Sequence, residues 1–274
     1  MKYVFLVGDG MQDLPIEELG GATPLEAAKT PHMDFIARNG KVGWVRTVPP
    51  DMQAGSDVAI MSLLGYNPGE YYKGRGPLEA ANLGIELEED EVAFRCNLVT
   101  VEDGIMMDYS AGHISNQEAK VLIDFLNEKL STEYIHFYPG VSYRHIMVAK
   151  SIGENLKCTP PHDITGKKID KFLPQGKDAE IIIELMESSR KFLLNHEINR
   201  VRIDLKENPA NMIWLWGQGK KPQLPTFLEK YGLRGNVISA VDLIKGLGKI
   251  IGLVPIYVEG ATGYYDTNYN GKAV

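Results

Sequence analysis

The stretch Met52-Gln53-Ala54-Gly55-Ser56-Asp57-Val58-Ala59-Ile60-Met61-Ser62-Leu63-Leu64-Gly65-Tyr66, read together with Gly8-Asp9-Gly10, decides how the chain is organised. Ser56 follows a glycine and opens an apolar run at helical spacing. Its hydroxyl therefore belongs among the free backbone N–H groups of a helix N-terminus, a place suited to an anion. A serine there also serves as an ordinary N-cap. Asp9 bears on the choice. Tyr3-Val4-Phe5-Leu6-Val7 is a continuous apolar run ending in Gly-Asp-Gly, the pattern of a buried parallel strand that carries a carboxylate at its C-terminal end. Ligands of open α/β sheets sit at those ends. A carboxylate and a serine delivered to one edge can share a metal ion and make the serine a nucleophile towards phosphorus. The alternative for Asp9 is a turn residue between two glycines.

Outward from this pair, Leu25-Glu26-Ala27-Ala28 reads as a short helix. Thr30-Pro31 caps a second one through Arg38, closed by Asn39-Gly40. Lys41 to Val48 alternates as a strand until Pro49-Pro50 breaks it. This β-α-β-α order predicts a parallel sheet covered by helices. Tyr71-Tyr72-Lys73-Gly74-Arg75-Gly76-Pro77 is a glycine-rich loop whose Lys73 and Arg75 can meet a phosphate or simply be solvated. Glu86 to Glu91 is an acidic surface run or linker.

From Val92 the texture becomes α+β. Val92–Val101 and Ile105–Tyr109 flank Asp103-Gly104 as a hairpin, and Ser115 opens a helix to Leu130 with a capping box. Tyr134–Tyr138 and Tyr143–Ala149 read as strands turning at Pro139-Gly140, Lys177–Asn195 as a long helix, and Met212–Gly219 as a strand leading into a glycine loop. Gly235–Gly246 restores the strand-helix rhythm, and Gly252–Val258 adds a strand. The predicted organisation is an α/β core over 1–88 and 235–274, interrupted by an inserted α+β domain over 89–234.

With 274 residues, 44% hydrophobic and 24% charged, the chain has ample material for a core. A net charge of -7 argues against general nucleic-acid binding and against anionic membranes. No run approaches a membrane span, and Met1-Lys2 leads straight into an apolar strand without a signal-peptide layout. Cys96 and Cys158 have no metal-ligand spacing and read as reduced, cytoplasmic thiols. His32 lies on a capped helix without a second ligand at zinc spacing and reads as structural.

Gly8-Asp9-Gly10, Gly21-Ala22-Thr23-Pro24-Leu25-Glu26-Ala27-Ala28, Thr30-Pro31-His32-Met33-Asp34, Ala54-Gly55-Ser56-Asp57, Gly65-Tyr66-Asn67-Pro68 and Gly74-Arg75-Gly76-Pro77-Leu78-Glu79-Ala80 occur in this order. Together they resemble the archaeal-type, cofactor-independent phosphoglycerate mutases of the alkaline phosphatase superfamily, including relatives proposed as homoserine kinases. The resemblance implies an alkaline-phosphatase-like parallel-sheet core with an inserted substrate-binding domain. It also implies interconversion of 3-phosphoglycerate and 2-phosphoglycerate through a phosphoserine at Ser56. Two divalent ions (manganese, zinc or magnesium), with Asp9 and Ser56 as ligands of one, would activate that serine, and no bisphosphoglycerate would be needed. Arg95 and Arg144 would hold the carboxylate or phosphate, Asp108 and His113 would exchange protons with the hydroxyls, and His145, His162 and Lys245 complete the expected substrate contacts.

The expected partner is a small phosphorylated hydroxy acid rather than nucleic acid or membrane, with an oligomer possible. Family members continue beyond the point matched by Gly260–Val274, a segment that resembles the loop before their remaining metal-ligand segments. A fragment of a longer mutase, inactive in this truncated form, is the expectation. A chain that only binds phosphorylated acids, and one completed by another polypeptide, are the alternatives. A homoserine-kinase-like phosphotransferase is the second enzymatic reading, suggested by Trp214-Leu215-Trp216-Gly217-Gln218-Gly219 and Gly8-Asp9-Gly10; no Walker-type loop is present.

Overall fold

Gly55 is extended at φ −171°, and the chain turns helical at the next residue, so Ser56 is the first residue of its helix rather than the cap. The computed structural model describes residues 1–263 and 266–273; Tyr264, Tyr265 and Val274, at the end of the expected return segment, lie outside the described residues. In chain order the first helices are α1 (Pro24–Ala27), α2 (Pro31–Asn39), α3 (Ser56–Leu63), α4 (Pro68–Tyr71) and α5 (Arg75–Leu83). A reciprocal Thr23–Glu26 capping box starts α1. Thr30 makes no backbone cap on α2 but bonds the Asp34 carboxylate at 2.9 Å, and Gly40 closes that helix extended rather than left-handed.

The expected strands at Tyr3–Val7 and Lys41–Val48 are not formed. Both segments lack ladder partners among the described residues, and a strand without a neighbour leaves its N–H and C=O groups to water. Their apolar side chains stand out accordingly, with Leu6 90% and Trp44 fully exposed.

Glu91–Glu102 (β1) is the spine of the molecule. It turns at Asp103-Gly104, both at positive φ, into β2 (Ile105–Asp108), the Asp-Gly hairpin expected from the sequence. The helix α6 (Asn116–Leu130) starts at the Ser115–Glu118 capping box. Next come β3 (Ile135–Val141), β4 (Arg144–Lys150), α7 (Ala179–Leu193), α8 (Glu197–Asp204) and β5 (Met212–Lys220). All five strands form one antiparallel sheet in which β1 pairs with β2, β4 and β5, and β3 lies outside β4. The β3–β4 turn falls at Ser142, φ 53°, while Pro139-Gly140 sits inside β3 where the register slips. Proline has no ladder N–H, so a bulge accommodates it.

Strand parity divides this sheet's chemistry. Phe94, Cys96 and Leu98 face a core completed by Leu122, Leu126, Ile182 and Met186 of α6 and α7. Ala93, Arg95 and Asn97 face the opposite way, with Trp216, Trp214 and Arg144 as cross-strand neighbours. Arg144 and His145 are consecutive and cannot share a face. His145 lies opposite Cys96 on the core side, 1% exposed, and its Nδ1 accepts the Gly140 N–H at 2.9 Å. Burial lowers its pKa to about 3. The expected substrate contact by His145 is therefore corrected to a structural role.

The remaining elements are α9 (Phe227–Tyr231), β6 (Asn236–Ile238), α10 (Asp242–Ile250), β7 (Val254–Ile256) and α11 (Tyr269–Ala273). The strands β6 and β7 pair in parallel, the parallel pairing expected of the core, here in two strands. A second hydrophobic cluster joins Met61, Tyr66 and Leu78 to Leu243, Leu247 and Ile251, tying both ends of the chain together. There α5 and α10 touch so closely that a Cβ on Gly246 would overlap the Leu78 carbonyl. No helix among the described residues is long and apolar enough to cross a membrane.

Gly246→Ala tests that contact. Helix propensity alone would add about 1 kcal/mol of stability, whereas the backbone clash is expected to cost about 1–3 kcal/mol. Denaturant unfolding should show net loss, and a gain would contradict the packing. His145 supplies a second test. Its folded pKa of about 3 lies below the ordinary 6.5, so its contribution is fully present above pH 6.5 and is lost as pH falls towards 3. Between pH 6.5 and 5, wild type should lose up to about 1.4 kcal/mol per pH unit more than His145→Gln. Identical pH profiles would contradict the buried neutral imidazole.

Candidate active site

The Ser56 hydroxyl, free of capping duty, donates to Asp9 Oδ2 at 2.9 Å across 47 residues of chain. The two residues singled out from the sequence thus meet, although the segment that carries Asp9 is not a paired strand. A turn at Asp9-Gly10, with Gly10 at φ 78°, aims the carboxylate. An acceptor at this distance can take the hydroxyl proton as the oxygen attacks.

Beside this pair opens a cleft of about 500 Å³. Ala54 and Asp57, on either side of Ser56, line it together with Tyr72, Arg75, His162 and Trp216. Its far wall is the polar face of the antiparallel sheet. The guanidinium of Arg95, 7% exposed, stacks 4.5 Å from the Trp216 ring. Arg95 Nε lies 3.1 Å from Glu79 Oε2, within ion-pair reach but not aligned for a hydrogen bond. Burial lowers the Arg95 pKa and raises that of Glu79, against the attraction between them. Arg95 stays cationic, because a guanidinium keeps its proton in proteins.

Next to them, Arg144 Nη2 is 3.8 Å from Asp242 Oδ2, and Lys245 Nζ is 2.9 Å from Asp242 Oδ1. Arg95, Arg144 and Lys245, more than a hundred residues apart at their extremes, therefore share one partly buried charge network with Glu79 and Asp242. Asn97, on the same sheet face, accepts the Trp216 indole N–H at 3.1 Å and so fixes the ring under Arg95.

Aromatic contacts continue along this face. His162 meets Trp216 at 5.4 Å and Tyr109 at 6.0 Å, Tyr109 meets Tyr143 at 5.7 Å, and Tyr143 meets His113 at 6.1 Å. Partial burial lowers the His162 pKa in spite of Asp163 beside it. His113 is exposed at the end of the row, at φ 52°. Asp108 has a different task. Burial would raise its pKa, but hydrogen bonds from Ser110, Asn208 and the Gly112 N–H outweigh that and hold the carboxyl below its ordinary value. A carboxylate so fully engaged orders the 108–113 loop, which places His113.

Asp57, Tyr72, Glu79 and Asp242 were not singled out as site residues from the sequence, and Trp216 only as part of a motif. Apart from the Asp242–Lys245 pair, three residues apart, their partners are distant in the chain, and no local spacing announces such a pairing. The one available signal was glycine. A Cβ on Gly76 would overlap the Ala93 carbonyl, and one on Gly219 the Lys73 carbonyl, so Gly-Arg-Gly, which forms the cap and start of α5 rather than the expected loop, and the Trp-Gly-Gln-Gly strand are glycine-rich where they touch.

As metal ligands, Asp9 and Ser56 offer two oxygen donors, and no group of three or more His, Cys, Asp or Glu is gathered among the described residues. A two-ion centre takes more donors than these. The residues described here do not fit one by themselves.

The family description "2,3-bisphosphoglycerate-independent phosphoglycerate mutase" matches residues 37–199. A Methanosarcina mazei protein of that name is 58% identical over 273 residues, 99% of this chain and 69% of its own length. A Geobacter sulfurreducens protein named a probable mutase of the same kind is 53% identical, again over 99% and 69%. Among solved structures, a Pyrococcus horikoshii protein superposes with a TM-score of 0.74 at 32% identity, over 97% of this chain and 64% of its own. The cofactor-independent phosphoglycerate mutase of Thermoplasma acidophilum gives a TM-score of 0.56 at 29% identity, over 92% and 68%. The chain thus spans about two thirds of the length of these relatives. Their shared name favours the mutase over the homoserine-kinase-like and non-catalytic alternatives. On these matches the chain belongs to the family of 2,3-bisphosphoglycerate-independent phosphoglycerate mutases.

Proposed function

We propose that this chain carries the phosphoryl-accepting half of a mutase reaction that interconverts 3-phosphoglycerate and 2-phosphoglycerate without bisphosphoglycerate. The 2.9 Å hydrogen bond from Ser56 to Asp9 is the observation that supports it most directly. Ser56 Oγ attacks phosphorus while Asp9 accepts its proton. The Oγ–P bond forms, the bond from phosphorus to the C3 oxygen breaks, and that oxygen takes a proton from His113. In the second half, the C2 hydroxyl gives its proton to His113 and attacks the phosphoserine, and Asp9 returns the first proton to Ser56. Atoms and protons balance over the cycle, and every step is carried by protein groups.

The phosphoserine is what removes the need for a bisphosphate. Arg95 and Arg144 hold the glycerate carboxylate, with Lys245 adding positive charge from α10 and His162 closing the cleft beside Trp216. In a chain of net charge -7, this cluster is what an anionic substrate requires. Asp9 and Ser56 would also be the oxygen donors this chain contributes to a divalent ion, manganese among the candidates. A division into a core over 1–88 and 235–274 and a substrate-binding insertion over 89–234 belongs to the same reading; most of each part packs in its own hydrophobic cluster, while Ala80 and Leu87 join Ala93, Ile146 and Val148 across the boundary. A cytoplasmic location belongs to the same proposal.

A coupled assay with 3-phosphoglycerate and no bisphosphoglycerate tests the reading. Ser56→Ala is expected to abolish turnover with unchanged circular dichroism, and Asp9→Asn to lower it by about 10²–10⁴-fold. Retained turnover in Ser56→Ala, or phosphorylation of homoserine by ATP in place of mutase activity, would contradict it.

A further inference from the structure

Asp57, the residue after Ser56, is 1% exposed, and a buried carboxylate is costly unless donors hold it. Two do. The Tyr72 hydroxyl donates to Asp57 Oδ2 at 2.6 Å, and Arg75 Nε to the same oxygen at 3.2 Å. The arrangement joins the start of α3 to the start of α5. It also orients the rest of the Arg75 side chain, whose guanidinium carbon stands 5.5 Å from the Trp216 ring.

With Nε engaged by Asp57, the two terminal nitrogens of Arg75 remain for other partners. Nη2 lies 3.1 Å from the point a Cβ would occupy on Gly55, directly before the nucleophile. The side chain is 28% exposed, and Asp57, Tyr72 and Arg75 all line the cleft beside Ser56. Arg95 differs, being buried against Glu79 and Trp216. A guanidinium fixed at one edge and open at the other presents parallel N–H groups to two oxygens of a phosphoryl group.

We propose that Arg75 grips the transferred phosphoryl group at Ser56, and that Asp57 and Tyr72 are positioning residues that hold Arg75 in place. This rests on the reading of Ser56 as phosphoryl acceptor. A purely structural Asp57–Arg75 pair would alter stability without altering affinity for phosphate.

Calorimetric titration of the whole chain with inorganic phosphate, with unfolding temperatures measured in parallel, separates the two. Arg75→Ala is expected to weaken phosphate binding about 10-fold or more, with Arg75→Lys recovering part of the loss. Tyr72→Phe removes one hydroxyl and should weaken binding by about 3-fold or more with the fold retained. It carries the positioning test even where Asp57→Asn fails to fold. Equal affinity in wild type and Arg75→Ala, or no phosphate binding by wild type, would overturn the proposal. Failure of the wild type to form phosphoserine, with phosphate binding retained, would sink the mutase reading and leave this comparison intact.

Discussion

The site depends on a seam of backbone against backbone. Gly74 and Gly76 press onto the carbonyls of Gln218 and Ala93, and Gly219 onto that of Lys73, so the start of α5 lies directly on two strands of the antiparallel sheet. Side chains at these glycines would hold the two apart by the width of a methyl group or more. Because the seam is closed, Arg75 reaches Trp216, Glu79 reaches Arg95, and the cleft beside Ser56 has the polar sheet face as its far wall. Ser56, the proposed nucleophile, and the groups proposed to bind the rest of the substrate come from different parts of the chain, and this contact sets the distance between them.

Glycine-rich motifs with charged interiors were visible in the sequence, but what each one touched was not. Asp9 and Ser56 could be paired because each ended a locally recognisable pattern: an apolar run into Gly-Asp-Gly, and a glycine before a helical run. The structure removes the N-cap reading of Ser56. Gly55 takes the cap position and leaves the Ser56 hydroxyl to Asp9. Capping boxes at Thr23 and Ser115 and the Asp-Gly hairpin were equally legible, because their chemistry closes within a few residues.

What failed to transfer was anything that depends on a distant neighbour. Tyr3–Val7 and Lys41–Val48 have strand composition, but a strand exists only when paired, and pairing is not a property of the segment. The charged residues of β1 and β4 divided by parity: Arg95 and Arg144 share one sheet face, whereas His145, buried opposite Cys96, lies on the other. Alternation along β4 was enough to separate the two neighbours, but not to say which face held the site. Asp108 shows the same limit in another form, since the donors that occupy it include Asn208, a hundred residues away.

Peptide mass spectrometry after brief exposure to 3-phosphoglycerate and acid quench tests the central claim most directly. The account predicts a phosphoryl group on Ser56 alone, lost in Ser56→Ala and diminished in Asp9→Asn. Mutase turnover with no phosphopeptide containing Ser56, or with the phosphoryl group on another residue, would contradict it.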